Sequence, residues 1–324
     1  MNFGFFMERG FVGLNGLPRM ISKEIRVNPP NLCNPRSIFE VKVTPMKPKI
    51  GLALGGGGAR GFAHVGVLKV FERENIPIDY IAGTSMGGLI GSLYAIGMSA
   101  AEIEEISLDF KKKRIFGMMF DPAWSTRGFI KGSRIYNYLA KYLGATTFNE
   151  TKIPLAMMAT DIVSGQEMVL QQGRLVDAVR ATISVPIAFA PVKMGQAKLV
   201  DGGVLDNVPA DLARALGADV VIAVDVWPVF SKERNQQVSE YRLFTLPGVP
   251  DSFMEMWRVV LISIGKMSEL RLQIAKPDVL IKPKVPIYID VLVGFDRAAE
   301  AIAAGEAAAE AALPQIRALL DAEN

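Results

Sequence analysis

Histidine is almost missing from this chain, with His64 the only one in 324 residues. A metal centre built on several imidazoles is thereby excluded, and at most one histidine can take part in proton transfer. Cysteine is equally scarce. Cys33 stands alone, so neither an intrachain disulfide nor a cluster of thiolate ligands can form, and one free thiol fits a reducing compartment. Charge of one sign is missing too: 36 basic and 33 acidic side chains leave a formal net charge of +3. That balance offers no chain-wide attraction to nucleic acid, so any basic surface must be local. No apolar run reaches the roughly 18 residues that a membrane-spanning helix needs. Phe3, Phe5 and Phe6 open the chain, but Glu8 and Arg9 interrupt them, and no basic start followed by a long apolar stretch marks a secretory leader. Cytoplasmic residence, with or without peripheral contact to a membrane, is the expectation.

What is present is a globular composition, half hydrophobic and about a fifth charged, long enough to bury a sizeable core. Residues 1–46 are rich in Gly, Asn and Pro, and Asn28-Pro29-Pro30-Asn31 breaks regular structure, so they read as an irregular extension. From 47 to 226 the pattern is βα. Ile50–Leu54, Tyr80–Ala82, Leu155–Ala159, Lys198–Val200 and Val220–Val224 read as strands. Helices are expected over Phe62–Asn75, Met86–Met98, Arg174–Thr182 and Pro209–Leu216, and Ser99 with Glu102 has capping-box spacing for another. Nearly continuous apolar strands alternating with helices predict a parallel sheet covered on both faces. Residues 227–324 read as a mainly helical region completing the domain, with a late strand Val279–Ile281 and an alanine-rich helix from Asp296 to Leu320.

The sharpest motif is Gly83-Thr84-Ser85-Met86-Gly87, a G-x-S-x-G between a strand and a helix. A turn of that kind lifts the serine hydroxyl out of the sheet as a nucleophile elbow. Gly83 and Gly87 permit the tight backbone, and the helix amino terminus favours developing negative charge. The second motif is Gly55-Gly56-Gly57-Gly58-Ala59-Arg60-Gly61, again between strand and helix. Its N–H groups could hold the oxyanion of a tetrahedral intermediate, with Arg60 orienting the loop or adding positive potential. Gly56, Gly58 and Gly61 also satisfy a dinucleotide-binding fingerprint. That fingerprint requires an acid at the end of the second strand. Here the strand ends in Gly83-Thr84-Ser85 and Asp79 lies at its beginning, which weighs against it.

A serine nucleophile needs a base. No histidine follows Ser85, so the Ser–Asp–His order of the α/β-hydrolases is impossible. His64 falls inside the helix after the glycine loop, where packing or loop bracing is the simpler role. Asp201-Gly202-Gly203 stands out after a short strand, although an Asp-Gly-Gly is equally an ordinary turn. A carboxylate becomes an effective base near neutral pH when desolvation raises its pKa.

Glycine loop, G-x-S-x-G and D-G-G in that order resemble the patatin-like phospholipase family. Gly61-Phe62-Ala63-His64-Val65-Gly66-Val67-Leu68, Ala159-Thr160-Asp161 with Gly165, Ala178-Val179-Arg180-Ala181-Thr182 with Val185-Pro186, and Asn207-Val208-Pro209 are similar to that family's further segments. The likeness covers about residues 50–226, and Phe295-Asp296-Arg297-Ala298 with Gly305 resembles the tail of its short bacterial members. The resemblance implies a three-layer α/β/α patatin-like fold with a mainly parallel central sheet, cleavage of lipid acyl esters, and no metal or other cofactor. It implies Ser85 as nucleophile, Asp201 as base, and Gly56, Gly57, Gly58 and Arg60 at the oxyanion hole. Thr182 stands where the family pattern leads one to expect serine, and no catalytic role is assigned to it.

A lipid substrate calls for a docking surface. Lys111-Lys112-Lys113-Arg114 followed by Ile115-Phe116-Gly117-Met118-Met119-Phe120 suits an anionic membrane interface, or else a solvated turn running into core. Phe253, Met256, Trp257, Val260, Ile264, Met267 and Ile274 keep helical spacing and read as core, with an acyl channel or an oligomer contact as alternatives. A broad carboxylesterase or thioesterase, and a catalytically idle lipid-binding module, are the competing functions.

Overall fold

In the computed structural model, which describes residues 47–112, 132–186, 188–228 and 251–321, the apolar run Ile50–Leu54 forms β1. It is followed by α1 (Ala63–Arg73), β2 (Tyr80–Thr84), α2 (Met86–Ala95), α3 (Ala100–Lys112), α4 (Ser133–Leu143), β3 (Leu155–Asp161) and β4 (Gln166–Leu170). Then come α5 (Leu175–Thr182), β5 (Val192–Met194), β6 (Ala197–Asp201), α6 (Ala210–Ala215), β7 (Val220–Val224), α7 (Asp251–Ala275), β8 (Val279–Ile281) and α8 (Ala298–Asp321). Ser99 opens α3 as its spacing predicts: its N–H and hydroxyl both reach Glu102 Oε2 at 2.8 Å. The antiparallel strands β4 and β5 and the helix α4 were not among the sequence expectations. β4 carries Gln166-Glu167-Met168 on an edge with little burial, and β5 is three residues long, so neither leaves a clear apolar period.

One eight-stranded sheet runs β5-β6-β3-β2-β1-β7-β8, with β4 on the other edge of β3. The stretch β3-β2-β1-β7-β8 is parallel, while the β3–β4, β3–β6 and β5–β6 pairs are antiparallel. The two faces of the sheet differ in residue size, because successive side chains point to opposite sides. Ile50, Leu52, Leu54, Ile222 and Val224 face a thick core formed with α1, α2, α3, α4, α5 and α8. Ala53, Ala82, Val221 and Ala223 face the other way, where Ala210 and Ala213 of α6 and Leu272 of α7 pack on them. Small residues on both partners let α6 lie close to the sheet. The result is a three-layer α/β/α fold with a mostly parallel sheet, and among the described residues no helix is long and apolar enough to cross a membrane.

The register of β3 places the site. Its first half pairs with β2, ending at Thr84↔Met158, and its second half pairs with β6, starting at Ala159↔Asp201. β4 pairs with the opposite edge across both halves. Thus β2 and β6 meet end to end along a single edge of β3, each with its carboxyl end at the junction. Ser85 follows one strand and Asp201 closes the other.

Candidate active site

Ser85 has φ 53° and ψ −122°, between the last residue of β2 and the first of α2. Non-glycine residues avoid positive φ, and holding one there costs on the order of 1–3 kcal/mol. Two contacts keep it in place. The Ser85 N–H donates to Thr182 Oγ1 at 2.8 Å, and Thr182 Oγ1 donates to the Met158 carbonyl at 2.6 Å. Beneath the turn, the first residues of α2 press on the end of β1. A Cβ at Gly87 would overlap the Leu54 carbonyl oxygen, and one at Gly83 would sit 2.6 Å from Gly88 Cα. Only glycine fits at either position.

Asp201 is buried at the end of β6. Its N–H donates to Ser184 O at 2.9 Å, and its Oδ1 accepts from Gly203 N–H at 2.8 Å. Burial pushes its carboxyl up to about 6, opposed by a hydrogen bond from the Ser85 side chain and by the Gly203 N–H. Ser85 and Asp201 line one pocket. Both holders, Thr182 and Ser184, belong to the end of α5 and the turn after it, which Arg180 braces by donating to Ser184 Oγ at 2.5 Å and to Ala190 O at 3.2 Å.

The glycine loop lies against this pair. Gly55 N–H donates to Val224 O and Gly56 N–H to Asn207 O, both at 3.0 Å. Asn207 Nδ2 returns a bond to Gly56 O at 3.3 Å. The Gly56 N–H is thus already spent within the protein. Gly57 and Gly58 line the same pocket as Ser85 and Asp201, and their N–H groups meet no acceptor among the described residues. Gly58 has φ +55°, and a Cβ there would overlap the Val291 carbonyl oxygen. Arg60 does not line the pocket. Its buried guanidinium donates to Val226 O at 2.7 Å, Ile289 O at 3.0 Å and Val285 O at 3.4 Å, which ties the loop to two later segments.

His64 is fully buried on α1, and its Nε2 lies 2.7 Å from Gly55 O. Burial lowers its pKa to about 4, so the ring is neutral at pH 7 and Nε2–H is the donor. It braces the first glycine of the loop from behind.

Two other carboxylates could rival Asp201 by sequence position. Asp161 is spent on its own turn, accepting from Ser164 Oγ at 2.7 Å, Lys198 N at 2.9 Å and Val163 N at 3.1 Å, and the Ser164 hydroxyl and these N–H groups lower its pKa. Asp206 is buried and pushed up to about 7 by burial and by Asp211. It faces Arg271 of α7 at 3.5 Å and does not line the pocket.

Apolar walls close the pocket: Val185 and Pro186 after α5, Trp227 after β7, Trp257 and Ile264 of α7, and Val291. This sorts the stripe read on α7. Trp257 and Ile264 are buried and reach the site, whereas Met256, Met267 and Ile274 are exposed and are not core. The side chain of Phe253 and most of the basic and apolar stretch 111–120 lie outside the described residues. Sequence reasoning missed Thr182, Ser184 and Val291 as site residues. Thr182 closes the family-like segment Ala178–Thr182, which was a visible signal, while Ser184 lies just beyond it and Val291 left none. Among the described residues no group of three or more His, Cys, Asp and Glu could hold a metal ion.

Comparison with known proteins places the chain in a family. An uncharacterized NTE family protein of Mycobacterium tuberculosis is 34% identical over 181 residues, 55% of this chain and 49% of the relative. Patatin-like phospholipase domain-containing protein 6 of Homo sapiens is 35% identical over 182 residues, 55% of this chain and 13% of that protein. Lysophospholipase NTE1 of Candida albicans is 32% identical over 182 residues, 56% and 13%. The match therefore spans about half the length of the mycobacterial relative and far less of the other two. Among solved structures, VipD from Legionella pneumophila shares the fold with a TM-score of 0.53 at 14% identity, over 86% of this chain and 68% of that one. A family model described as patatin-like phospholipase matches residues 52–214, half of the sequence and the whole stretch from glycine loop to Asp201, and the chain belongs to that family.

Proposed function

We propose that the protein hydrolyses lipid acyl esters of the phospholipid or lysophospholipid class through a Ser85–Asp201 dyad. The observation that carries the reading is the buried Asp201 carboxyl, raised to about 6 and lining one pocket with Ser85, which sits on a strained turn. A base poised near working pH is what proton removal from a serine hydroxyl requires. Asp201 takes the Ser85 proton as Oγ attacks the ester carbonyl carbon. The N–H groups of Gly57 and Gly58 hold the resulting oxyanion, a role for which the Gly56 N–H and the Arg60 side chain are already otherwise engaged. Collapse of the intermediate passes the proton from Asp201 to the departing alcohol and leaves an acyl-serine. Water then gives a proton to Asp201 and attacks the acyl carbon, and the fatty acid leaves with Ser85 restored. Trp227, Trp257 and Ile264 supply an apolar wall suited to an acyl chain.

The test is a panel of phospholipids, lysophospholipids and short p-nitrophenyl esters run beside Ser85→Ala, with a fluorophosphonate probe. The wild type should turn over the lipids and be labelled at Ser85, and the variant should fold, escape labelling and lose turnover by several orders of magnitude. Labelling at another serine would overturn the assignment. Turnover confined to the short esters would make the protein a general carboxylesterase.

A further inference from the structure

Apart from Leu280, the large exposed apolar side chains of the described surface fall in two places. One is the outer face of α7. The other is the β3–β4 hairpin, where Ile162 is 52% and Val163 64% exposed at the turn and Val169 follows on β4. Charge separates the two. On α7, Lys266 pairs with Glu269 at 2.7 Å, and Arg271 pairs with Glu167 and Asp211 at 2.9 Å each. Beside the hairpin, on β5 and β6, two cations lack such partners among the described residues. Lys193 and Lys198 stand directly opposite each other across β5 and β6, both exposed, and neither has a carboxylate partner among the described residues. Like charges placed so repel and weaken the strand pair, a penalty that an anionic surface reverses.

The turn is stapled to the lysine strand. Asp161 accepts from the N–H groups of Val163 and Lys198, and the Ile162 N–H donates to Lys198 O at 2.9 Å. These bonds hold two branched apolar side chains in solvent beside two unpaired ammonium groups. The tip also points the right way. β3 runs three residues beyond Met158, the partner of Thr84, to Asp161, and β6 returns three residues from Lys198 to Asp201. At the strand rise each path is about 10 Å, so the tip projects from the end of the sheet that carries Ser85 and Asp201.

We infer that the β3–β4 turn and the Lys193–Lys198 pair form a docking surface for an anionic phospholipid bilayer. Ile162 and Val163 enter the interface, and the lysines meet headgroup phosphates. The choice of a bilayer rests on the lipid-ester reading above and on the two apolar side chains, for which a nucleic acid backbone offers no apolar phase.

The experiment uses the full chain carrying Ser85→Ala, sedimented with phosphatidylcholine vesicles with and without phosphatidylglycerol. Binding should favour the anionic vesicles and weaken with salt. Lys193→Gln with Lys198→Gln should reduce partitioning about thirtyfold, roughly fivefold for each basic side chain near the surface. Ile162→Ser with Val163→Ser should reduce it on anionic vesicles without changing its salt dependence. Met267→Ser with Leu270→Ser, on the outer face of α7, should leave it unchanged. Equal binding to both vesicle types, hairpin variants that bind like the parent, or loss only in the α7 variant would each overturn the proposal. Turnover of a soluble short-chain ester, measured with Ser85 restored, separates the two readings. Intact turnover with lost vesicle binding supports the docking surface. Absence of turnover in the parent removes the hydrolase, while the vesicle result still decides the docking surface.

Discussion

The backbone N–H of Ser85 donates to Thr182 Oγ1 at 2.8 Å, and that hydroxyl in turn donates to Met158 O at 2.6 Å. Met158 is also the register partner of Thr84, just before the point where β6 takes over the edge of β3. One side chain thus ties the strained serine to the strand that aligns the aspartate. Two residues on, the Ser184 carbonyl accepts the Asp201 N–H, so a single turn after α5 holds both halves of the pair.

Thr182→Val keeps the shape but leaves the Ser85 N–H and the Met158 carbonyl unpaired in a buried setting, which costs about 1–3 kcal/mol of stability. Displacement of the serine should lower kcat by roughly a hundredfold with little change in KM. Thr182→Ser should restore both. Paired thermal melts and steady-state kinetics check this, and a Thr182→Val enzyme with wild-type kcat would remove the positioning role.

Asp201→Asn removes the base and should approach the loss of Ser85→Ala. It should also stabilise the protein at alkaline pH. The folded pKa of Asp201, about 6, lies above the ordinary carboxyl value of 3.8. The group therefore favours folding below the lower value, and the benefit is lost as pH rises through the higher one. At pH 8 the ionised carboxylate costs up to about 3 kcal/mol. The gain in Tm of the variant over wild type should be near zero at pH 3.5 and grow until pH 7. The acid limb of the wild-type pH–rate profile should fall near 6.

His64→Gln should keep activity within about tenfold, or 1.4 kcal/mol of barrier, because the ring braces Gly55 and accepts no proton in the reaction. Its folded pKa of about 4 lies below the ordinary imidazole value of 6.5. The neutral ring therefore contributes stability that is present above the higher value and is lost as pH falls through the lower. Wild type should lose up to about 3 kcal/mol between those limits by this group, and the variant should lack that step in acid melts. A loss of turnover equal to that of Ser85→Ala in a folded His64 variant would overturn the dyad.

Local chemistry made much of this protein legible in its sequence. Val220–Val224 reads as a buried strand and is one, because five apolar residues without a polar interruption have no exposed face. Glycines around Ser85 and through the loop from Gly55 to Gly58 mark places where no Cβ can fit, and the absence of any histidine after Ser85 excludes the Ser–Asp–His order of the α/β-hydrolases. What the tertiary structure alone decided is which polar groups remain free. Gly56 and Gly57 are indistinguishable in sequence, yet Asn207 consumes the N–H of one, while the other, in the pocket lining, meets no acceptor among the described residues. Asp161, Asp201 and Asp206 are three aspartates in loops or at strand ends. Hydrogen bonds commit the first to its turn, Asp211 and Arg271 surround the third, and only the second meets Ser85. That meeting follows from β2 and β6 ending head to head on one edge of β3. A pairing between distant strands is set by the packing of the whole sheet and leaves no local periodicity to read.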